Sequence, residues 1–396
     1  MKKAYIVIGS NYGDEGKGLA VASAAAGSIG KTLNILINGG AQRGHTVEFP
    51  DGRRHVFRHF GSASVFGAVS CADEDFMVNP ILFLDEREEL RRTWPEACLE
   101  FLASANCRVT SVYDMMVNQY IEDYRANARH GSCGLGIYET RRRYERTDWA
   151  LQLGRLMELT KPEYIAYCRK ITEEYIPNRL REEGISADEQ WYRLLCSEGM
   201  IANSWEDLCR MKTFAHLFTD WTAAARCWDT LIFEAGQGLA LDEDNKVDSP
   251  HLTPSHTTSA ASAARIRALG EAYRTEILYV TRSYLTRHGA GPLPTECPMK
   301  EISSEIRDIT NMPNPYQQTI RYGWFDADAV VARIAADRAA AKAILPDVTA
   351  TVMVTHMNET DGKLFGSSKT VQQMAEAFDR LYISWQRFPE VLKNKK

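Results

Sequence analysis

The chain opens on an uninterrupted apolar run, Ala4 to Ile8, in which β-branched side chains recur with no charge between them. That is the pattern of a strand buried on both faces. Glycines 9, 13, 16 and 18 follow, then the alanine-rich stretch Leu19 to Ala26, whose composition favours helix. The apolar pattern returns at Thr32 to Asn38, Asp229 to Phe233, Glu276 to Thr281 and Ala350 to Thr355, each read as a further buried strand. Val47 to His59, with Asp51-Gly52 at its centre, reads as a hairpin. Leu82 to Tyr124 and residues 150–226 read as helical. Within them the charged run Asp85 to Glu89 reads as a solvated helix face, and Trp191, Trp205 and Trp221 as core. A terminal helix is expected after Gly366-Ser367-Ser368. Strands interleaved with helices predict an α/β fold with a mainly parallel central sheet covered by helices. No low-complexity linker or internal repeat divides it. A single domain over residues 1–396 is therefore expected, with a mostly helical insertion at about 82–226.

Composition narrows the class. Of 396 residues, 44% are hydrophobic and 25% charged, which is ordinary for a globular chain with a large core. A net charge of −5 gives no electrostatic reason to bind nucleic acid or an anionic membrane. Nine cysteines without a C-x-x-C pair suit reduced thiols better than a disulfide framework or a zinc site. No apolar stretch has the length of a signal peptide or a membrane span. The expected setting is the cytoplasm, a host's if the source is viral.

The candidate chemistry starts in the first loop. Strand, glycine loop, helix is the arrangement that points backbone N–H groups and a helix N-terminus at a phosphate, and Lys17 adds a point charge there. The loop is not a standard phosphate-binding P-loop, because Asn11 and Gly18 stand where that pattern wants Gly and Ser or Thr. It also carries two acids, Asp14 and Glu15, which would repel a triphosphate unless a metal or a proton transfer used them. A second glycine loop, Gly39 to Thr46, places Gln42, Arg43, His45 and Thr46 at the next strand end, and ligands collect at such ends. His45 lies between Gly44 and Thr46 and is a candidate. His55, His59 and His130 read as ordinary surface or core histidines.

Gly13-Asp14-Glu15-Gly16-Lys17-Gly18 and Gly39-Gly40-Ala41-Gln42-Arg43-Gly44-His45-Thr46 resemble the two N-terminal signatures of the adenylosuccinate synthetase family. Those enzymes join L-aspartate to the 6-position of a purine monophosphate at the expense of GTP. The resemblance recurs in blocks. Gly131 to Gly136 is similar to a loop contacting the substrate nucleotide, with Ser132 and Cys133 where the family has threonines. An arginine just beyond crosses a dimer interface to the substrate's phosphate in the family, and Arg143 or Arg146 would fit that role in a homodimer. Gln237 matches a base- or phosphate-contacting glutamine, and Thr253 a phosphate-contacting threonine. Arg287 and Gly289 fall in the block lining the ribose. The resemblance further implies donor contacts from Asn11, Gly13, Glu15, Gly16, Lys17, Gly18, Gly44 and Thr46, and a Mg²⁺ held by Asp14 and the Gly44 carbonyl.

Three departures shape the expected substrates. The family's aspartate loop has an arginine run before a Gly-Trp; here only Arg321 remains before Gly323-Trp324, with Asn311 and Gln318 as its expected helpers. The family reads guanine in GTP with a Thr-Lys-x-Asp motif. This chain has Thr355, His356 and Asn358 there, which lacks the carboxylate and points to ATP or dATP. The subdomain that usually follows is absent, leaving Gly366 and Ser367 as the candidate ribose contacts. This shortened form resembles the viral and archaeal branch that makes a 2-aminoadenine precursor from dGMP, aspartate and ATP. Viral members commonly carry a serine at the catalytic aspartate, whereas this chain keeps Asp14. The preferred reading is dGMP or GMP, because one carboxylate facing guanine's N1–H and 2-amino group can accept from both; the alternative is IMP.

The resemblance implies that Asp14 removes the N1 proton so that the 6-oxygen attacks the γ-phosphate. Lys17 would neutralise developing charge, His45 would stabilise or protonate the departing oxygen, and aspartate would then displace phosphate from C6. Two rivals are a nucleotide-binding protein without ligase activity, suggested by the degraded arginine run, and a plain ATPase or kinase. Binding alone needs neither the base nor the acid, and a plain ATPase or kinase would lack the blocks around Gln237 and Thr253.

Overall fold

The structure is a computed structural model and describes residues 1–126, 131–249, 251–306, 311 and 319–393. Its frame is a sheet of β1 (Lys2–Gly9), β2 (Thr32–Leu36), β3 (Val69–Ala72), β4 (Phe101–Ser104), β5 (Ala215–Phe218), β6 (Thr230–Gly238), β7 (Tyr273–Arg282), β8 (Thr349–Thr355) and β9 (Arg380–Ile383). The spatial order is β5-β4-β3-β2-β6-β1-β7-β8-β9, and every neighbouring pair is parallel. In sequence the chain first walks outward from β2 to β5, returns at β6, and then walks to the other edge through β7, β8 and β9. The reversal puts β1 between β6 and β7, so the carboxyl ends of these three strands border the crevice where open α/β sheets take their ligands.

The strands expected from apolar runs all form. Four others, β3, β4, β5 and β9, lie where helix or no strand was expected, because each is a four-residue segment too short for periodicity to separate from its helical surroundings. Within the stretch expected to be mostly helical, 82–226, the short strands β4 and β5 join the sheet and most of the remainder is helix. The C-terminal helix is likewise short, Val371–Ala375, and is followed by β9.

Helix α1 (Lys17–Ala26) buries nine of its ten residues against β1, β6 and β7. Helix α2 (Pro80–Thr93) corrects the reading of the charged run, because Glu86 is buried. Its carboxylate accepts from the backbone N–H groups of Arg58 and His59, and burial, which would raise its pKa, is outweighed by His55 and His59, leaving it at about 2. Both histidines are core residues, as expected, whereas His130 lies outside the described residues. Trp221 is core; Trp191 and Trp205 are partly buried against the second apolar cluster. The hairpin pairs His45–Glu48 with Arg54–Phe57. All nine cysteines are free thiols, and among the described residues no helix is long and apolar enough to cross a membrane.

Candidate active site

A cleft of about 730 Å³ opens at the carboxyl ends of the central strands. Its floor is the loop between β1 and α1. Gly16 caps α1 with φ +91°, and a Cβ on Gly18 would lie 2.7 Å from the Thr46 carbonyl oxygen, so glycine is what lets the two glycine loops close on each other. Glu15 folds back into its own loop and accepts from the N–H groups of Asn11 and Gly13 at 2.9 Å each. Lys17 is 2% exposed, bonds to the Gly13 carbonyl and sits 3.3 Å from Glu15 Oε2. A substrate phosphate would have to draw Lys17 out of these contacts.

Asp14 stands at the cleft wall with its side chain 25% exposed. Burial alone would raise its pKa, but His288, Arg282 and Lys17 outweigh it and hold the carboxyl well below the usual range. Asp14 is thus ionised. The partner Nε2 of His288 is 3.2 Å from Asp14 Oδ2.

Opposite, His45 lines the cleft from the start of the hairpin. Its Nδ1 lies 2.6 Å from Glu234 Oε1 midway along β6, and Arg43 Nη2 shares that oxygen at 2.5 Å. Ser62 adds its N–H and Oγ–H to the same carboxylate. Burial and then Arg43 push the imidazole down to about 4 against the pull of Glu234, so it is neutral at neutral pH. Glu234 itself, which burial would raise, is brought to about 2 by Arg43 and His45. His45 Nε2, both side-chain polar atoms of Gln42, and Nε and Nη1 of Arg43 are buried with no hydrogen-bond partner. Buried polar groups rarely stay unpaired, so this cluster on one loop marks where a polar ligand belongs.

Of the residues singled out in the sequence, Gly13, Asp14, Gly16, Lys17, Gly18, Gln42, Gly44, His45, Thr46, Ser132, Cys133, Gln237, Thr253, Gly289, Asn311, Thr355, His356 and Asn358 all line this one cleft. Ser132 exchanges hydrogen bonds with Asn118, and the loop carrying it meets the loop after β7 where Gly131 packs on Gly289. At the far end His356 takes φ 58°, and burial, then Arg282 and Arg387, push its imidazole well below its ordinary value.

Other expected residues are used elsewhere. The Asn11 amide is spent on Thr281 and Arg333, and Glu15 on its own loop, and neither lines the cleft. Arg143 is 1% exposed and grips Asp114 with two donors at 2.8 and 2.7 Å, plus the carbonyls of Val109 and Trp149, so it braces the fold and cannot reach across an interface. Arg146 pairs with Glu182 away from the cleft. Arg287 is buried in contacts with Asp248 and the carbonyls of His251 and Pro292; it anchors its loop and does not line the ribose pocket. Arg321 is tied to Glu296 and the Gly291 carbonyl, outside the cleft. Gly366 packs under Trp324, and neither it nor Ser367 reaches the cleft. Gln318 lies outside the described residues.

The structure adds cleft residues that motif reading passed over: Arg282, His288, Gln386 and Arg387 in the wall, and Glu234 behind His45. Glu234 had a signal, a lone acid directly after the apolar run Asp229 to Phe233. Gln386 and Arg387 had none, since only the return of β9 to the sheet edge carries them to the cleft.

Residues 6–384 match the family model for adenylosuccinate synthetase. Curated relatives include the adenylosuccinate synthetases of Bordetella petrii, 28% identical over 83% of this chain and 73% of that protein, and of Psychrobacter cryohalolentis, 26% identical over the same shares. Among solved structures, fully ligated adenylosuccinate synthetase from Plasmodium falciparum aligns with a TM-score of 0.64 at 17% identity, covering 89% of this chain and 77% of that one. The succinoaminodeoxyadenylate synthetase of cyanophage S-2L, solved with dGMP and dATP, aligns with a TM-score of 0.60 at 15% identity, covering 100% of this chain and 95% of that one. At such identities the two structures speak for the fold.

Proposed function

Because the chain belongs to the adenylosuccinate synthetase family, carbon–nitrogen ligases that use aspartate, we propose that it joins L-aspartate to C6 of dGMP or GMP with ATP or dATP as phosphoryl donor. The observation that carries this reading is the convergence of Asp14, Lys17, His45, Gln237 and Thr253 on one cleft whose donor end holds His356 and Asn358 in place of a guanine-reading lysine and carboxylate.

In the proposed sequence Asp14 accepts the N1 proton, and the electron pair passes through the ring to the 6-oxygen, which attacks the γ-phosphorus. Lys17 and the loop amides lower the cost of charge on the transferred group. His45 donates Nδ1–H to Glu234; with anionic donor phosphate beside it the ring would take a second proton on Nε2 and give that proton to the departing β-phosphate oxygen. The amino group of aspartate then forms the C6–N bond and loses a proton to the departing phosphate, which leaves with the C–O electron pair. Asp14 and Gly44 share the cleft and offer hard oxygen ligands, a set that suits Mg²⁺ completed by phosphates and water. Those two would hold the ion, which neutralises donor phosphate charge when bound. Asn311 is the cleft-lining candidate for the acceptor amino acid. A cytoplasmic homodimer is the expected state.

A second reading, IMP as substrate, is favoured by the contact of Asp14 Oδ2 with His288. With one oxygen engaged, the carboxylate suits hypoxanthine's single N1–H. Incubating the protein with Mg²⁺, ATP and equimolar dGMP and IMP, with and without aspartate, separates the readings by product mass. A 2-amino succino-product supports dGMP; adenylosuccinate alone supports IMP. ADP without a succino-product removes the ligase reading.

A further inference from the structure

Asp14 is held from one side. His288 Nε2 lies 3.2 Å from Asp14 Oδ2 and 3.1 Å from Asn311 Oδ1. Ionised carboxylate and amide oxygens only accept, so Nε2 is the ring nitrogen that carries hydrogen. The backbone that carries the imidazole is anchored, because the buried guanidinium of the preceding Arg287 ties the loop to Asp248, His251 and Pro292. A base that must take a proton along one direction loses rate when its carboxylate is free to turn, and a rigid neighbour removes that freedom.

We propose that His288 is a positioning residue for the first chemical step: its Nε2–H holds one oxygen of Asp14 and leaves the other to take the purine N1 proton. The proposal rests on the ligase reading above. As the N1–H bond breaks, the proton goes to the free Asp14 oxygen and the pair moves to the 6-oxygen. That oxygen bonds to the γ-phosphorus, and the β,γ-bridging oxygen of the donor leaves with its electron pair. His288 contributes geometry to this step and gives up no proton in it.

The first step can be followed without aspartate, by positional isotope exchange in ATP labelled at the β,γ-bridge. Replacing His288 by Leu should lower both that exchange and kcat by at least about tenfold, a fraction of the ~10²–10⁴-fold that a general base contributes. KM for the monophosphate should stay within about twofold, because ground-state binding is kept. His288→Gln, whose amide can donate to Asp14, should keep the exchange within about threefold of wild type. A purely structural histidine would not be rescued in this way. The proposal is overturned if the Leu variant keeps more than half the exchange, or if Gln loses as much as Leu. Should Leu not fold, His288→Phe takes its place under the same criteria. A wild-type protein with neither exchange nor succino-product on any purine monophosphate sinks the ligase reading itself, before any variant is compared.

Discussion

His45 Nδ1 lies 2.6 Å from Glu234 Oε1, in a pair whose side chains are 5% and 0% exposed. The contact decides which imidazole nitrogen serves the cleft. Nδ1 is taken, so Nε2 is the one left for a ligand. Arg43 on the same oxygen keeps Glu234 ionised and the ring in place.

Replacing Glu234 by Gln should therefore lower kcat by roughly 10–100-fold, the range seen when a partner orienting a histidine is lost. KM for the donor should change much less, because Nε2 is proposed to act on the leaving oxygen. Steady-state kinetics checks this. A pure KM effect would make His45 a binding residue only.

Acid should destabilise the fold through the same pair. The imidazole pKa falls from an ordinary 6.5 to about 4 in the folded chain, so the unfolded chain takes up the proton first. That contribution is whole above about 6.5 and lost as pH falls toward 4. Glu234, lowered from 4.5 to about 2, adds a loss between those values. Unfolding midpoints measured between pH 7 and 4 should drop, and His45→Asn should flatten the upper part of the slope. A wild-type midpoint constant over that range would contradict the assignment.

Arg143 separates a structural role from a phosphate-binding one. Replacing it by Met leaves the Asp114 carboxylate buried without its cation, a change that typically costs about 3–5 kcal/mol. Denaturant unfolding should register that loss while KM for the monophosphate stays within about threefold. Unchanged stability with a KM raised tenfold or more would restore the arginine to the substrate.

The donor end tests base choice. Asn358 lines the cleft with a neutral amide, so ATP or dATP should support turnover at least as well as GTP. Asn358→Asp should shift preference toward GTP by at most ~1–3 kcal/mol, taking base-edge recognition as the guide. Competition between the two donors reads the shift. A strong native preference for GTP refutes the reading of this strand end.

What the sequence by itself determined is local. Apolar runs specified the long central strands, and glycine spacing specified the two glycine loops that line the cleft, because a buried strand and a tight turn each restrict composition within a few residues. Asp14, Lys17 and His45 stood out for the same reason, sitting inside those loops. Tertiary structure decided everything that depends on which distant residues meet. It set Glu234 behind His45 across 189 positions and Asn11 against Thr281 across 270. It turned Arg143 inward to Asp114, since a guanidinium buried on an amphipathic helix needs a carboxylate that no nearby motif announces. It also brought His288 to Asp14, and Gln386 and Arg387 to the cleft, because pairing along a parallel sheet joins segments without any signature in the segments themselves.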